Sequence, residues 1–133
     1  MLREDGMVFD DGTTTRISEN HFHMTTTTAQ AANVLSHLEY YLQVVWPELD
    51  VNVVSTTEQW AGMAIAGPNS RALLKKLFPH DDVSNEGFPF MGFKEFQFKN
   101  IAVRVFRISF SGELAFEVNV MSDYGEEMWN EIM

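Results

Sequence analysis

Carboxylates set between apolar runs are the residues of this chain whose types and spacing bear most directly on chemistry. In RISFSGELAFEV, Arg107 to Val118, Glu113 follows Gly112 between two stretches that read as strand. Before it, Val103 and Val105 alternate with Arg104, Phe106 and Arg107, and after it LAFEV resumes the apolar pattern. Ser111-Gly112-Glu113 is therefore expected as a hairpin turn or bulge, Gly112 supplying a backbone angle that other residues resist. On these residues alone Glu113 is an ordinary solvated turn carboxylate. Asp10 and Asp11 are the second candidate. Placed on a strand, neighbours face opposite sides, so one of the two carboxylates points toward a covered face or a cavity, where it needs partners. The alternative is that both are wet, at a strand end before Gly12.

Other chemistries find less support. His21 and His23 are two apart on a presumed strand and share a face, yet no third ligand lies close in sequence, so no metal site is expected. His37 and His80 stand alone, and no Ser-His-Asp order is legible, which argues against a hydrolase. AGPNSR lacks the glycine and lysine pattern of a phosphate-cradling loop, and no G-x-G-x-x-G follows a strand. Nine basic against nineteen acidic residues give a formal charge of -10, which repels a phosphate backbone and excludes an electrostatic nucleic-acid interface. Cysteine is absent, so disulfides, thiolate metal sites and a cysteine nucleophile are excluded. No apolar stretch approaches membrane-spanning length and MLREDGMVFDDG is no secretory signal, so a soluble, cytoplasmic protein is expected.

The elements that must position these residues follow from periodicity. MVFDDGTTTRISENHFHMTTTT reads as two antiparallel strands joined at Ser18-Glu19-Asn20, the first carrying Asp10 and Asp11. Thr27 and Gln30 form a capping-box pattern ahead of a helix whose apolar stripe, from Ala31 through Val34, Leu38 and Leu42 to Val45, ends near Trp46-Pro47. VNVVSTT and QWAGMAIAG read as two more strands, the second apolar on both faces and so expected to be central. Gly67-Pro68 opens a second helix, with Pro68 at its first position and Leu73, Leu74 and Leu77 as its buried stripe. KEFQF and IAVRVFRIS read as a hairpin about Lys99-Asn100, followed by the Gly112 turn, another strand, and a last helix, YGEEMWNEIM, capped by Ser122. The sum is an α+β domain, a mainly antiparallel sheet with helices packed on it. The 45% hydrophobic and 13% aromatic composition over 133 residues fits one domain. The abrupt first strand and last helix lead us to expect that residues 1–133 are part of a larger domain, truncated at both ends, whose exposed strand edges invite self-association.

Two separated motifs then coincide. Met7-Val8-Phe9-Asp10-Asp11-Gly12 resembles the Gly-x-x-x-Asp-Asp-Leu strand of the aminomethyltransferase (glycine cleavage T-protein) family, and Arg107 through Glu117 resembles its Arg-x-Gly-Tyr-Thr-Gly-Glu-x-Gly-x-Glu signature. Between them, Ala64 to Ser70 resembles the family's Ala-x-Gln-Gly-Pro-x-Ser turn. HFHMTTTT, STTEQWA and FRISFSGELAFEVNV resemble the folate-binding C-terminal region of the family's sarcosine oxidase alpha-subunit branch, over essentially the whole chain. Ser109, Phe110, Ser111 and Ala115 depart from the transferase signature, Gly12 stands for Leu and Ala66 for Gln, and these changes lean toward that branch and away from a glycine cleavage enzyme proper.

The resemblance implies a tetrahydrofolate site. It implies Glu113 as the bidentate acceptor for the pterin ring NH and amine, with Phe110 and Arg107 as further folate-binding residues, and Asp11, or Asp10 if the register slips by one, as the catalytic acid near the nitrogens that capture a one-carbon unit. The implied function is oxidative demethylation of sarcosine, or another N-methyl amine, to glycine in the whole complex, with the one-carbon unit passed here to give methylenetetrahydrofolate. Flavin and NAD are then expected elsewhere in the complex, and beta, gamma and delta subunits as partners. The alternatives are a T-protein-like aminomethyltransferase and a folate-binding module without catalysis.

Overall fold

In the computed structural model, which describes residues 1–133, the long alternating stretches pair with one another and two helices cover one side of them. The chain divides into two units, Met1–Ser55 and Thr56–Met133.

The second unit is built on four strands, β3 (Trp60–Ala66), β4 (Phe93–Phe98), β5 (Ile101–Phe106) and β6 (Ala115–Met121). All neighbours are antiparallel and the sheet order is β3-β6-β5-β4. Side chains alternate across the pleat, so one face gathers Met63 and Ile65, Phe96, Ile101, Val103 and Val105, and Phe116, Val118 and Val120. Helices α2 (Ser70–Leu77) and α3 (Gly125–Ile132) close that face with Leu74, Leu77 and Met128. Burying each such side chain contributes about 1.5–3 kcal/mol, which makes this layer the main source of stability. The two-residue turn Lys99-Asn100 joins β4 to β5, with Lys99 at φ 51°, and the Lys99 ammonium meets Glu127 at 3.0 Å and Glu131 at 2.9 Å on α3.

The first unit has a two-stranded ribbon, β1 (Thr14–Ser18) and β2 (His21–Met24), with a bulge between Arg16 and Ser18. Helix α1 (Ala31–Tyr40) continues as a wider π turn over Tyr41–Val45, and the Trp46 amide closes it on the Tyr41 carbonyl at 2.7 Å. Val34 is the single buried apolar side chain of this unit. No helix of the chain is long and apolar enough to cross a membrane.

The α+β class, both hairpins and all three helices agree with the sequence; several local readings do not. Residues 51–56 of VNVVSTT form no strand: Val51 and Val54 are exposed, the Val51 amide turns back onto the Leu49 carbonyl at 3.0 Å, and β-propensity without a partner strand makes no ladder. QWAGMAIAG does form β3, but at an edge of the sheet and buried on one face only, Gly62, Ala64 and Ala66 being exposed on the other; its apolar composition reflects small residues, not double coverage. Asp10 and Asp11 precede β1 and are not on it. Pro68 lies two residues before the first helical residue of α2, in the turn that Gly67 opens. Neither Thr27 nor Ser122 caps a helix through its side chain, and Ser122 begins a 3-10 turn ahead of α3.

Phe116 is fully buried, its ring 5.7 Å from that of Phe88 and 5.4 Å from the Arg71 guanidinium, whereas Phe110 is fully exposed. Phe116→Ala is expected to lower unfolding free energy by about 3–5 kcal/mol and Phe110→Ala by less than about 0.5 kcal/mol, read from urea titrations. Equal losses for the two would contradict this assignment of the core.

Candidate functional site

The segment Phe9 to Gly12 is irregular, and a pair of hydrogen bonds to one residue fixes it. Asp10 is 7% exposed, and its carboxylate accepts from the Thr27 amide at 3.1 Å and from the Thr27 hydroxyl at 2.6 Å. The distance to the hydroxyl is that of a charge-assisted bond. This hydroxyl contact, aided by the Thr27 and Asp11 amides, holds the Asp10 carboxyl below the usual aspartate range although burial pushes the other way. Asp11 is exposed and accepts the Gly12 amide at 2.8 Å. The pair is thus split as the alternation argument anticipated, one inward and one outward, but on an irregular segment. Gly12 is dictated by its surroundings: a Cβ there would stand 2.0 Å from the Thr25 carbonyl oxygen, so no larger residue fits this backbone.

The connection from β5 to β6 runs over residues 107–114 and carries the other candidates. Arg107 lies at its start, its amide on the Gly92 carbonyl at 2.9 Å and its Nη1 on the Phe88 carbonyl at 2.7 Å, while its Nε is buried without a partner. These bonds make Arg107 a strap that holds the Phe88 to Gly92 loop. Phe110 stands fully exposed. Gly112 adopts φ 88°, its amide bonded to the Ser109 hydroxyl at 2.9 Å, and the Ser111 hydroxyl donates to Glu113 at 2.7 Å. Glu113 itself is exposed.

A further carboxylate comes into view only with the sheet assembled. Glu117 points away from the core, directly opposite Ala64 on β3 and Phe106 on β5, and is half-buried. Burial pushes its carboxyl above the usual glutamate range, and no basic side chain lies within ion-pair distance of it. Arg104, two positions along β5 from the residue opposite Glu117, is engaged by Glu95 at 3.1 Å and lies over the Trp60 ring at 4.4 Å. The signal for Glu117 in the sequence was the alternation itself, since Phe116 and Val118 inward require residue 117 outward. His21 and His23 pair with Ser18 and Thr15 across the ribbon, and no group of three His, Asp or Glu that could hold a metal occurs.

Asp10 and Asp11 therefore belong to the first unit, while Arg107, Phe110, Glu113 and Glu117 share one hairpin of the second. The whole chain, residues 1–133, matches the GCVT N-terminal domain, and the chain belongs to that family. Within it, the chain is 55% identical over 130 residues to the sarcosine oxidase subunit alpha of Rhizobium meliloti (strain 1021), covering 96% of this chain and 13% of that protein. It is also 49% and 50% identical to the sarcosine oxidase alpha subunits of Corynebacterium sp. strains U-96 and P-1, covering 99% of this chain and 14% of each of those proteins. The chain thus spans about one-seventh of the length of the curated relatives it matches, each of them named as one subunit of an oxidase.

Because the folded-state pKa of Asp10 is depressed, its contact with Thr27 adds stability that is present at neutral pH and is lost as pH falls through that value, below about 3.9. Thr27→Val keeps the side-chain shape and removes the donor. Urea midpoints of wild type and Thr27→Val are expected to differ at pH 7 and to converge in acid. A gap that stays constant with pH would mean that the hydroxyl does not act through the Asp10 charge.

Proposed function

We propose that this chain contributes the folate site of a sarcosine oxidase alpha subunit, where the one-carbon unit released by sarcosine oxidation passes to tetrahydrofolate. The observation that carries the reading is the half-buried, unpaired Glu117 on the open face of the sheet, within the motif that also contains Glu113. A pterin offers a ring NH and an adjacent amine, and a carboxylate with two acceptor oxygens takes both. Glu113 is the acceptor that the family signature implies. Its exposure and its bond to Ser111 leave it a hinge-side role, whereas a carboxylate already desolvated and without a cation, as Glu117 is, gains more from two donors. We therefore assign the pterin to this hairpin, with Glu117 as the deeper and Glu113 as the outer acceptor, Phe110 as an aromatic face for the ligand, and Arg107 as the residue that positions the hairpin's base.

In the proposed reaction, the methylene carbon of the iminium left by two-electron oxidation of sarcosine forms two new bonds to folate nitrogens. Its bonds to the glycine nitrogen break, and the two folate N–H protons leave with the glycine amine. Asp11, exposed and free of a cationic partner, stabilises the cationic carbon–nitrogen unit and relays a proton. Asp10 holds Asp11 in place through Thr27. A flavin, which supplies the electron sink, together with NAD and the beta, gamma and delta subunits, is assigned to the rest of the complex. Identity of 49% to 55% to sarcosine oxidase alpha subunits favours this reading over a glycine cleavage T-protein.

Calorimetric titration with tetrahydrofolate tests the site. Glu117→Gln is expected to weaken binding by about tenfold or more, the scale of a charge-assisted hydrogen-bond pair, and Glu113→Gln by less. Equal affinity in wild type and both variants would remove the pterin from this hairpin. In the full-length subunit, Asp11→Asn is expected to abolish methylenetetrahydrofolate formation while sparing folate binding; retained transfer would leave a binding module without catalysis as the better description.

A further inference from the structure

The dipeptide Asp-Gly occurs twice in the first unit, at Asp5-Gly6 and at Asp11-Gly12. In this pair the glycine backbone nitrogen can close a five-membered ring on the aspartate carboxyl carbon, because no Cβ on the second residue shields the nitrogen. As sequence the two sites are equivalent. Their surroundings in the fold are not.

At Asp5-Gly6 both reacting groups are committed elsewhere. The Gly6 amide donates to the Arg3 carbonyl at 2.9 Å. One Asp5 oxygen accepts the Met7 amide at 3.0 Å and the other meets the Arg3 guanidinium at 3.4 Å. At Asp11-Gly12 the arrangement is reversed. The Gly12 amide donates to Oδ1 of Asp11 itself at 2.8 Å, so the nitrogen faces a carboxyl group whose carbon is one bond from that oxygen. No ion pair engages Asp11, and both residues are exposed, so water reaches them. The chain on either side is anchored: the Asp10 carboxylate on Thr27 at 3.1 and 2.6 Å, and the Thr13 amide on the Thr25 hydroxyl at 3.0 Å. Asp11-Gly12 is thus a short span held between two fixed points, with its reacting groups already in contact.

We propose that Asp11-Gly12 is a site of isoaspartate formation, favoured by the fold over Asp5-Gly6. The Gly12 nitrogen forms a bond to Cγ of Asp11, and its hydrogen leaves with the OH of the protonated carboxyl as one molecule of water. The product is a cyclic imide. A solvent water then opens the ring: cleavage of the bond from nitrogen to Cγ restores aspartate. Cleavage of the bond from nitrogen to the Asp11 main-chain carbonyl carbon leaves the chain running through Cβ and Cγ, which is isoaspartate. Water lost in the first step is regained in the second, and nothing is oxidised or reduced. Isoaspartate adds one carbon to the main chain between Asp10 and Gly12, where the ribbon has least room: a Cβ on Gly12 would stand 2.0 Å from the Thr25 carbonyl oxygen. The proposal rests on this local geometry and is independent of the folate reading.

The chain is aged in mildly acidic buffer at body temperature, once folded and once unfolded in guanidinium chloride. After proteolysis, isoaspartate is read by methyl labelling with an isoaspartyl methyltransferase, and electron-transfer fragmentation of the peptides assigns each site. In the folded chain, isoaspartate is expected at Asp11 in several-fold excess over Asp5. In guanidinium chloride, which removes the contacts that distinguish them, the two sites are expected to convert at similar rates. Asp11→Glu, whose carboxyl carbon closes only a six-membered ring, is expected to lose the label at this site and keep it at Asp5. Equal rates at the two sites of the folded chain, an excess at Asp11 that persists unchanged on unfolding, or no isoaspartate at Asp11 of the folded chain while the unfolded chain accumulates it would overturn the proposal.

Discussion

The strict alternation of β6 is the constraint on which the second unit depends. Phe116, Val118 and Val120 are fully buried, so this strand has one register that works: a slip by one residue would bring Glu117 and Asn119 into the core. Once β6 is fixed, β3 is placed by Met63 opposite Val118 and Ile65 opposite Phe116, and β5 by Val105 opposite Val118. Helices α2 and α3 then have one apolar face to cover, with Leu74, Leu77 and Met128. The same alternation produces the open face. Packing a core on one side obliges a carboxylate, three small residues of β3 and the Arg104–Trp60 pair to share the other side.

In the first unit polar contacts do what apolar burial does in the second. With Val34 as its one buried apolar side chain, the unit relies on the ribbon, on the Asp10 to Thr27 bonds and on a row of rings from Phe9 through His37 and Tyr41 to Trp46. A carboxylate bonded twice to one threonine is a short, directional restraint, and it fixes the backbone of Asp11 without using the Asp11 side chain. The departures from the family motif acquire a physical meaning here. Gly12, where the family carries Leu, lies so close to the Thr25 carbonyl that a side chain is excluded; it is a packing requirement of this ribbon. Phe110, where the family carries Tyr, is fully exposed and loses no intramolecular hydrogen bond by the change.

Much of this was legible in the residues. Hairpins about Glu19-Asn20 and Lys99-Asn100, the three helices and the strands of KEFQF and LAFEV follow from period and turn chemistry, which are local properties of the chain, whereas the tight turn expected at Gly112 is an irregular connection over residues 107–114, because β5 ends at Phe106. So does membership of an α+β family, carried by motifs far apart in sequence. What failed was local propensity where tertiary partners decide. VNVVSTT has the composition of a strand and no strand to pair with, QWAGMAIAG has the composition of a central strand and one neighbour, and Thr27, set out like a helix cap, spends its hydroxyl on Asp10.

The sequence by itself therefore determined which stretches alternate, where they turn, and which family pattern they carry, because backbone angles and side-chain periodicity act within a few residues. Only the tertiary structure decided which carboxylates are unusual. Asp10, Asp11, Glu113 and Glu117 are identical or nearly so as chemical groups, and their differences come from neighbours distant in the chain: Thr27 for Asp10, open solvent for Asp11 and Glu113, and the apolar side chains of β3 and β5 for Glu117. Desolvation and charge pairing are properties of a place in space, and a place in space exists only once the strands have met.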